Sequence, residues 1–319
     1  MAYNRIGNCK FYMDAALIAR QWGQIETENI DNKFHLNPSN ITTVEFQTDG
    51  ADYYTLFFKN RYWLNSITHL FVLGHNFNTH NVGMICSLRN SADNDTKYPM
   101  GSIPISFDMD GWHKFNGTSF SQILDVDLNM IHIRLNGETG ATKIGDFSLG
   151  WSFEMPHSPD LELTQTFSNE SISVQTTKSG HTLTNSGYNK KADWIRPAWA
   201  KSTTDTPLDD LGYFQGGRRQ WSLKFSFVAA TNLFAEKFTD DTNGNFGIFE
   251  HNGSGDYQIK DNFIDKVFHG TNSFQLPFIF QPNKDVEEYA MCRINNDSAS
   301  FTQTANNIYD ISLNLSEIW

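Results

Sequence analysis

Residues 69–77 read His69-Leu70-Phe71-Val72-Leu73-Gly74-His75-Asn76-Phe77, and this stretch indicates the fold most clearly. The apolar residues from Leu70 to Leu73 would occupy both faces of an extended strand, as expected of a strand that is buried on both sides. Gly74 then allows a sharp exit from the strand, because glycine adopts backbone conformations that other residues avoid. A second apolar segment follows at Val82 to Leu88. Together these segments predict two core strands of a β-sandwich.

The rest of the chain shows the same strand character, because apolar and polar residues alternate with a period near two in many short segments. Gly and Asn separate these segments and suit tight turns. Further strands are predicted at 43–47, 53–58, 130–135, 144–153, 161–167, 171–177, 221–228, 278–281, 288–294 and 308–318. Three short helices are candidates, at 14–21 with Asp14 as the N-cap, at 233–238 and at 261–269. We therefore predict an all-β protein of two β-sandwich-type domains, the first a jelly roll, with one to three short helices.

The composition indicates a folded chain and argues against nucleic-acid and membrane partners. Of its 319 residues 14% are aromatic and 19% are charged, which is the reverse of the balance in disordered chains. The net charge of -12 repels phosphate backbones, so no nucleic-acid partner is expected. No apolar run approaches the ~18 residues of a membrane-spanning helix, so we expect no membrane insertion. Three cysteines without CxxC spacing or a secretion signal predict free thiols in a chain made in a reducing cytoplasm.

A domain boundary is predicted near residue 155, where Pro156 and Pro159 interrupt the strand pattern. This divides the chain into a domain at 1–155 and a β-rich assembly domain at 156–319. Residues 178–217 are rich in Ser, Thr, Gly, Asn and Asp and have little strand pattern, which indicates a functional loop or an extended arm that orders on a partner. Trp194 and Trp199 favour the arm, because a solvated linker rarely carries two tryptophans.

Motifs of catalysis are missing from the sequence. It contains no GxSxG elbow, Walker loop, HExxH or GxGxxG. His75 and His80 have an H-x4-H spacing, but ordinary polar loop residues explain them better than a metal site. Adjacent carboxylates such as Glu287 and Glu288 are better explained as surface charge than as the pair of a glycoside hydrolase. We predict that the protein is not an enzyme and needs no metal or other cofactor.

The segment at 69–77, with the strand at 82–88, resembles the strand-turn-strand of galactose-binding-like (discoidin-type) jelly rolls, in which an apolar strand ends in Gly-His-Asn. The resemblance implies that 130–135 and 144–151 are the closing strands of this domain. Loops at the ends of sandwiches are natural binding sites. Asn76, His80, Trp112 and His113 are the candidates there for stacking on, and hydrogen bonding to, a sugar or a host receptor.

Several other segments resemble uncharacterised virion proteins of aquatic tailed phages, and strands of bacteriophage tail proteins in particular. Their combined order along the chain carries this resemblance more than any single segment does. The segments are Asn8 to Asp14, Ile144 to Gly150 with Met155-Pro156, Arg218 to Phe227, Leu276 to Pro282 and Asn307 to Trp319.

Two of these segments alternate in a way that needs no active site. In the first, Trp221, Phe225 and Phe227 would face a core while the residues between them face outward, and 311–315 would do the same. The second segment ends in Trp319. Because chain ends fray unless they are held, a terminal tryptophan suggests packing into its own sheet or into a neighbour's groove.

The resemblance implies a structural component of a tailed-phage virion, in the tail or baseplate, that is made in the host cytoplasm and acts through multimeric assembly. Its partners would be copies of itself and other virion proteins, with Trp194, Trp199 and Trp319 as contact anchors. The alternative is a carbohydrate-binding or host-receptor-contacting tail module whose partner is a host-surface glycan. A capsid decoration protein is a further alternative.

Overall fold

The computed structural model of the protein describes residues 6–29, 33–38, 40–44, 46, 51–59, 62–89, 100–105, 107, 111–116, 130–137, 142–161, 164–168, 172–186, 218–235, 249–251 and 257–318. Within these residues antiparallel β-strands dominate, as the alternating sequence predicts. The strands are β1 (Lys10–Asp14), β2 (Ile25–Asn29), β3 (Thr42–Thr43), β4 (Ala51–Phe58), β5 (His69–His75), β6 (Gly83–Arg89), β7 (Met100–Ile105), β8 (Gly111–Asn116), β9 (Met130–Asn136), β10 (Lys143–Ile144), β11 (Asp146–Glu154), β12 (Thr164–Ser168), β13 (Ile172–Thr176), β14 (Thr182–Ser186), β15 (Arg218–Ala229), β16 (Phe249–His251), β17 (Tyr257–Ile259), β18 (Phe278–Gln281), β19 (Ala290–Ile294), β20 (Phe301–Ala305) and β21 (Ile308–Glu317).

The strands of the first half form two sheets in jelly-roll order. One sheet has the spatial order β1-β11-β5-β8, and the other has the order β2-β4-β9-β6-β7. Eight of these strands can be lettered B to I in chain order: β1, β4, β5, β6, β7, β8, β9 and β11. The two sheets then have the orders BIDG and CHEF, and β2 is an additional edge strand next to β4 in the second sheet. This is the double Greek key of a jelly roll. The predicted all-β class and the predicted jelly roll are confirmed.

Strand β5 is buried along its whole length, as its apolar sequence predicts. Leu70 and Val72 point into the core between the two sheets, whereas Phe71 and Leu73 belong to a second cluster on the opposite face. The first sheet is therefore covered on both faces around β5.

The first sheet continues into the second half of the chain without interruption. Strand β1 pairs with β11 on one side and with β18 on the other, and the full order is β12-β15-β21-β19-β18-β1-β11-β5-β8. Strand β20 pairs beside this path with β21. One apolar cluster holds residues from both halves, among them Phe11, Trp151, Phe280 and Leu313. The sheet and the core thus cross the predicted boundary at residue 155. Residues 1–155 and 156–319 therefore share one core, because β1 pairs with a strand of the first half on one edge and with a strand of the second half on the other.

Strands β13 and β14 form an isolated hairpin that changes the prediction of an arm at 178–217. Strand β14 falls inside that segment and pairs with β13 from Thr176↔Thr182 to Ile172↔Ser186. The turn is closed by Thr177, whose backbone N–H donates to the carbonyl oxygen of His181 over 2.8 Å. The beginning of the predicted arm is therefore regular β-structure, and residues 187–217 lie outside the described residues.

The helices are short. Helix α1 spans Ala15–Gln21 and begins as predicted at Asp14, whose carboxylate accepts a hydrogen bond from the backbone N–H of Leu17. Helix α2 spans Tyr62–Asn65. Helix α3 spans Ala230–Leu233 and so precedes the helix predicted at 233–238.

That helix ends early because Phe234 is extended and places its ring against Phe301 and Tyr309, with ring centroids 5.0 and 5.2 Å apart. The helix predicted at 261–269 is present as a π-helical turn at Ile264–Phe268 and a 3-10 turn at His269–Thr271. None of the described helices is long and apolar enough to cross a membrane. Cys9, Cys86 and Cys292 are buried free thiols.

Candidate functional site

The loop after β5 holds two of the residues predicted to contact a sugar. The side-chain oxygen of Asn76 accepts a hydrogen bond from the backbone N–H of Lys143 over 2.6 Å, and the Asn76 carbonyl accepts from the N–H of His80 over 3.2 Å. Both side chains are half-buried. The amide oxygen of Asn76 therefore fixes the loop to β10.

His113 lies on β8 and belongs to a cluster of rings. Its ring centroid is 5.3 Å from that of Phe107, which is 4.7 Å from the ring of His75. Burial, together with the smaller effect of the positive charge of His113, lowers the pKa of His75 to about 3, so His75 is neutral at physiological pH. Its Nδ1 accepts a hydrogen bond from the N–H of Phe77 over 3.3 Å. These histidines pack as rings, and the described residues contain no group of three His, Cys, Asp or Glu side chains that could hold a metal ion.

The remaining predicted contacts cannot be placed as side chains. Trp112 lies in β8, but its side chain is not among those described. Trp194, Trp199 and Trp319 lie outside the described residues. The prediction that these three tryptophans anchor a partner stays a prediction.

A covered half of the ten-stranded sheet, defined by Tyr12, Phe71, Leu73, Ile279 and Met291 on its outer face, contains the most perturbed polar groups. Leu36 and Tyr289 lie over these residues in the same apolar cluster. All seven side chains are buried. The outer face of strands β1, β5, β18 and β19 is therefore closed off from water.

Tyr12 is the centre of a hydrogen-bonded chain in the covered half. Its hydroxyl donates to the side-chain oxygen of Gln281 over 2.6 Å and accepts from the Lys114 ammonium over 2.9 Å. The ammonium also lies 4.7 Å from the centre of the Tyr12 ring and 5.6 Å from that of Tyr289. Rings of this kind attract a cation through their electron-rich faces. The lysine is thus held by one hydroxyl and two rings.

Burial perturbs the ionisation of the groups in this chain. Burial and, to a smaller extent, the nearby charge of Lys10 lower the pKa of Lys114 to about 8, and Glu287 opposes this change. Burial also lowers the pKa of His69 well below its ordinary value. The His69 ring stands edge-on to Tyr12, with centroids 5.0 Å apart. The bond from Tyr12 to Gln281 joins β1 of the first half to β18 of the second. Lys114 and His69 lie on β8 and β5 of the first half.

Two buried carboxylates, Asp14 and Asp146, lie at the end of the covered half. Asp146 accepts hydrogen bonds from the backbone N–H groups of Asn37 and Phe147, over 2.6 and 2.8 Å. Burial raises the pKa of Asp146 to about 7, with a smaller contribution from the negative charge of Asp14 and against the effect of the Asn37 hydrogen bond. Burial likewise raises the pKa of Asp14 to about 6, against the effect of its bond from Leu17. These carboxylates fix the start of α1 and the segment at 33–38.

An ion pair closes the other end of the core. The Arg219 guanidinium donates to both oxygens of Glu317, over 3.2 and 3.1 Å, and to Glu288 over 2.5 Å. Glu317 also accepts the backbone N–H of Arg219 over 2.9 Å. A buried charge pair of this kind is strongly interdependent, because the loss of one partner leaves the other charge buried alone. Its role is to lock β15 to β21.

The bare half of the sheet is the outer face of β15 and β21, defined by Ser222, Lys224, Phe227, Ser312 and Asn314. All five side chains are exposed. Four of them are polar, as expected of the solvated face of an antiparallel sheet. Phe227 is the exception, with 74% of its surface exposed.

The expectation that Phe227 faces the core with Trp221 and Phe225 is wrong. The pairing of β15 with β21 shifts between Phe225 and Val228, which marks a β-bulge. Because of the extra residue, Val228 takes the buried position and Phe227 turns outward. Sequence reasoning missed this site because the alternation continues to Phe227 without a Gly or Asn that would signal a bulge.

The fold and these clusters define an all-β jelly-roll protein whose first sheet is extended by the strands of its second half. No protein-family model matches the chain, and no curated protein matches it.

Proposed function

We propose that the protein is a structural component of a virus particle that acts through multimeric assembly. The observation that carries this proposal is the BIDG and CHEF strand order, because viral capsid proteins share this architecture with lectins and cupins. A fold alone does not define a function. The resemblance of the sequence to tailed-phage proteins adds the tail or baseplate as the position in the particle, reached after synthesis in the host cytoplasm.

The use of the ionisable groups supports a structural role. Lys114 is engaged by Tyr12, Asp146 by two backbone N–H groups, and Arg219 by Glu317. Apart from the hydrogen bond from the adjacent Phe147, these contacts join strands or segments that are distant in the sequence. A catalytic group, in contrast, must reach a substrate. We infer that the polar clusters stabilise the subunit, and that the protein is not an enzyme.

The jelly-roll strand order also occurs in lectins. A sugar-binding tail module is therefore the alternative function. The geometry favours it less, because the side-chain oxygen of Asn76 is engaged by Lys143 and the ring of His113 packs on Phe107. The loop residues would have to give up these contacts to bind a glycan.

Assembly can be tested with the purified full-length chain. Mass photometry over a wide concentration range and negative-stain electron microscopy should detect multimers, with rings or tubes expected of a tail or baseplate protein. Closed shells would contradict the tail position. A chain that stays monomeric at high concentration and binds a glycan array would overturn the proposal in favour of the rival, and Asn76→Ala with His113→Ala would then abolish glycan binding.

A further inference from the structure

The hairpin of β13 and β14 has no further partner strand within the described part of the chain. Among the described strands the two pair only with each other. The side chains from 174 to 184 are exposed, except for the half-buried Thr177. A two-stranded hairpin with both faces in water is only marginally stable, and its unpaired edges offer backbone groups to another chain. The hairpin is therefore a surface that a partner would stabilise.

This hairpin carries one large apolar side chain on each face and one cation at its turn. Val174 and Leu183 lie in consecutive cross-strand pairs, so they point to opposite faces, and they are 60% and 59% exposed. Lys178 is exposed and forms no ion pair with another described residue. The hairpin contains no Asp or Glu. Its surface is thus apolar and positively charged.

A loop of opposite character joins β18 to β19. Asp285, Val286 and Glu287 are exposed in this loop. The carboxylate of Asp285 forms no hydrogen bond or ion pair with another described residue. Val286, which follows it, is 47% exposed. The one lysine of the loop, Lys284, is engaged within the subunit by Glu154. The loop is therefore an acidic surface with an apolar residue at its centre.

The ladder of β12 and β15 brings this loop close to the base of the hairpin. Ser168, the last residue of β12, pairs with Arg218. The next residue, Arg219, donates to Glu288 at the end of the loop. Strand β13 begins at Ile172, shortly after Ser168. The base of the hairpin and the acidic loop therefore lie at the same end of the ladder.

We propose that two copies of this chain bind each other here, with the hairpin of each copy docked on the acidic loop of the other. The hairpin patch consists of Val174, Lys178 and Leu183, and the loop patch consists of Asp285 and Val286. The inference rests on the proposed function of assembly, and it adds the surface and the partner.

Charge and symmetry favour a second copy as the occupant. In a twofold contact, residue i of one copy meets residue j of the other, and the reverse contact occurs as well. A region with a cation and a carboxylate, each without an ion pair in its own subunit, is therefore complementary to itself. Lys178 of each copy can meet Asp285 of the other. These two pairs supply the local attraction that two chains of net charge -12 need in order to associate.

The charge pairs can be tested by sedimentation velocity of the full-length chain at low salt. Lys178→Glu and Asp285→Lys each place like charges opposite each other at both pairs of the dimer. Each variant alone should raise the dimer Kd by about tenfold, because two surface pairs change from attraction to repulsion. Lys59→Glu makes the same change of charge at an exposed residue of the first half. This matched control should change the Kd by less than about twofold.

Mixing the two variants distinguishes a contact between copies from one within a copy. In a mixed dimer of Lys178→Glu with Asp285→Lys, one pair is the natural one and the other has its two charges exchanged, so both pairs attract. An equimolar mixture should therefore recover the dimer to within about threefold of the wild-type Kd. A mixture that associates no better than either variant alone would overturn the inference.

The apolar part of the contact can be tested at Leu183, with thermal unfolding measured in parallel. Leu183→Thr removes apolar surface but keeps a residue that favours strands. It should raise the dimer Kd by about threefold or more and leave the melting temperature unchanged. Leu161→Thr changes an exposed leucine outside both patches and should retain the dimer. A loss of many degrees for Leu183→Thr would show that this side chain supports its own subunit, against the inference.

The remaining outcomes separate this inference from the proposed function. If the wild type forms multimers that respond to none of these variants, assembly stands and the contact between hairpin and loop is wrong. A wild-type chain that stays monomeric at every concentration would remove the proposed function together with the inference.

Discussion

The covered and bare halves of the ten-stranded sheet are built by the same antiparallel pairing, but different residues occupy their outer faces. In the covered half these positions hold side chains such as Tyr12, Phe71 and Ile279, and further chain segments lie over them. In the bare half they hold residues such as Ser222 and Asn314, which stay in water. The inner faces of both halves belong to one apolar cluster. The comparison shows that the outward residues decide which part of the sheet is covered. Where they are apolar, other segments of the chain cover the sheet, and where they are polar, the sheet stays exposed.

Replacement of one aromatic ring in each half should give the largest difference in unfolding free energy between the two halves. Phe71 is buried against Tyr12 and Tyr289, with ring centroids 5.3 Å from each. Phe71→Ala should lower the free energy of unfolding by about 3–5 kcal/mol, because it leaves a cavity. Phe227→Ala should change it by less than about 0.5 kcal/mol in the monomer. Urea denaturation measures both, and equal losses would show that the bare half is in fact part of the core.

Removal of one hydroxyl from each half should also destabilise the covered half more than the bare half, by a smaller amount. Tyr12→Phe leaves the Lys114 ammonium and the buried amide of Gln281 without their shared partner. Such a loss costs about 1–3 kcal/mol, and the partial exposure of Lys114 favours the lower end. Ser222→Ala removes a hydroxyl from the bare half and should stay within about 0.5 kcal/mol. A negligible effect of Tyr12→Phe would mean that water replaces the hydroxyl and that the covered half is open.

A dependence on pH should also come from the covered half. The pKa values of Asp14 and Asp146 are raised from 3.8 to about 6 and about 7, so the folded chain holds these protons more tightly than the unfolded chain. The resulting stabilisation is complete below about pH 4 and is lost as the pH rises through 6 to 7, at up to about 1.4 kcal/mol per pH unit for each carboxyl.

The variant Asp146→Asn isolates this contribution, because its amide is neutral at every pH. Relative to the wild type, Asp146→Asn should gain stability between pH 5 and pH 8, as the wild-type carboxyl ionises. Denaturation curves at both values give the difference. If the wild type and the variant show the same pH dependence, the pKa of Asp146 is ordinary and water reaches this end of the covered half.

Local patterns predicted those parts of the fold that depend on neighbouring residues. The apolar run at 70–73 predicted a strand buried on both faces, and Asp14 predicted the start of α1. Both succeed because side-chain alternation and N-capping act within a few residues. The candidate site was less predictable. The pattern at 221–227 predicted an inward Phe227, and it failed because a bulge in a pairing between distant strands does not alter the local alternation.

The amino-acid pattern alone was enough to predict an all-β chain, the residues that alternate, and the strands that carry apolar side chains on both faces. The three-dimensional fold was needed to show that β1 joins β11 to β18, so that one sheet spans both halves. It also decided that Asp146 is buried, that Lys114 is partly buried and that Phe227 is exposed. The physical reason is that burial and desolvation depend on residues far apart in the chain. Tyr12 and Gln281, for example, are hydrogen-bonded across 269 positions, and no local pattern of side chains can specify such a contact.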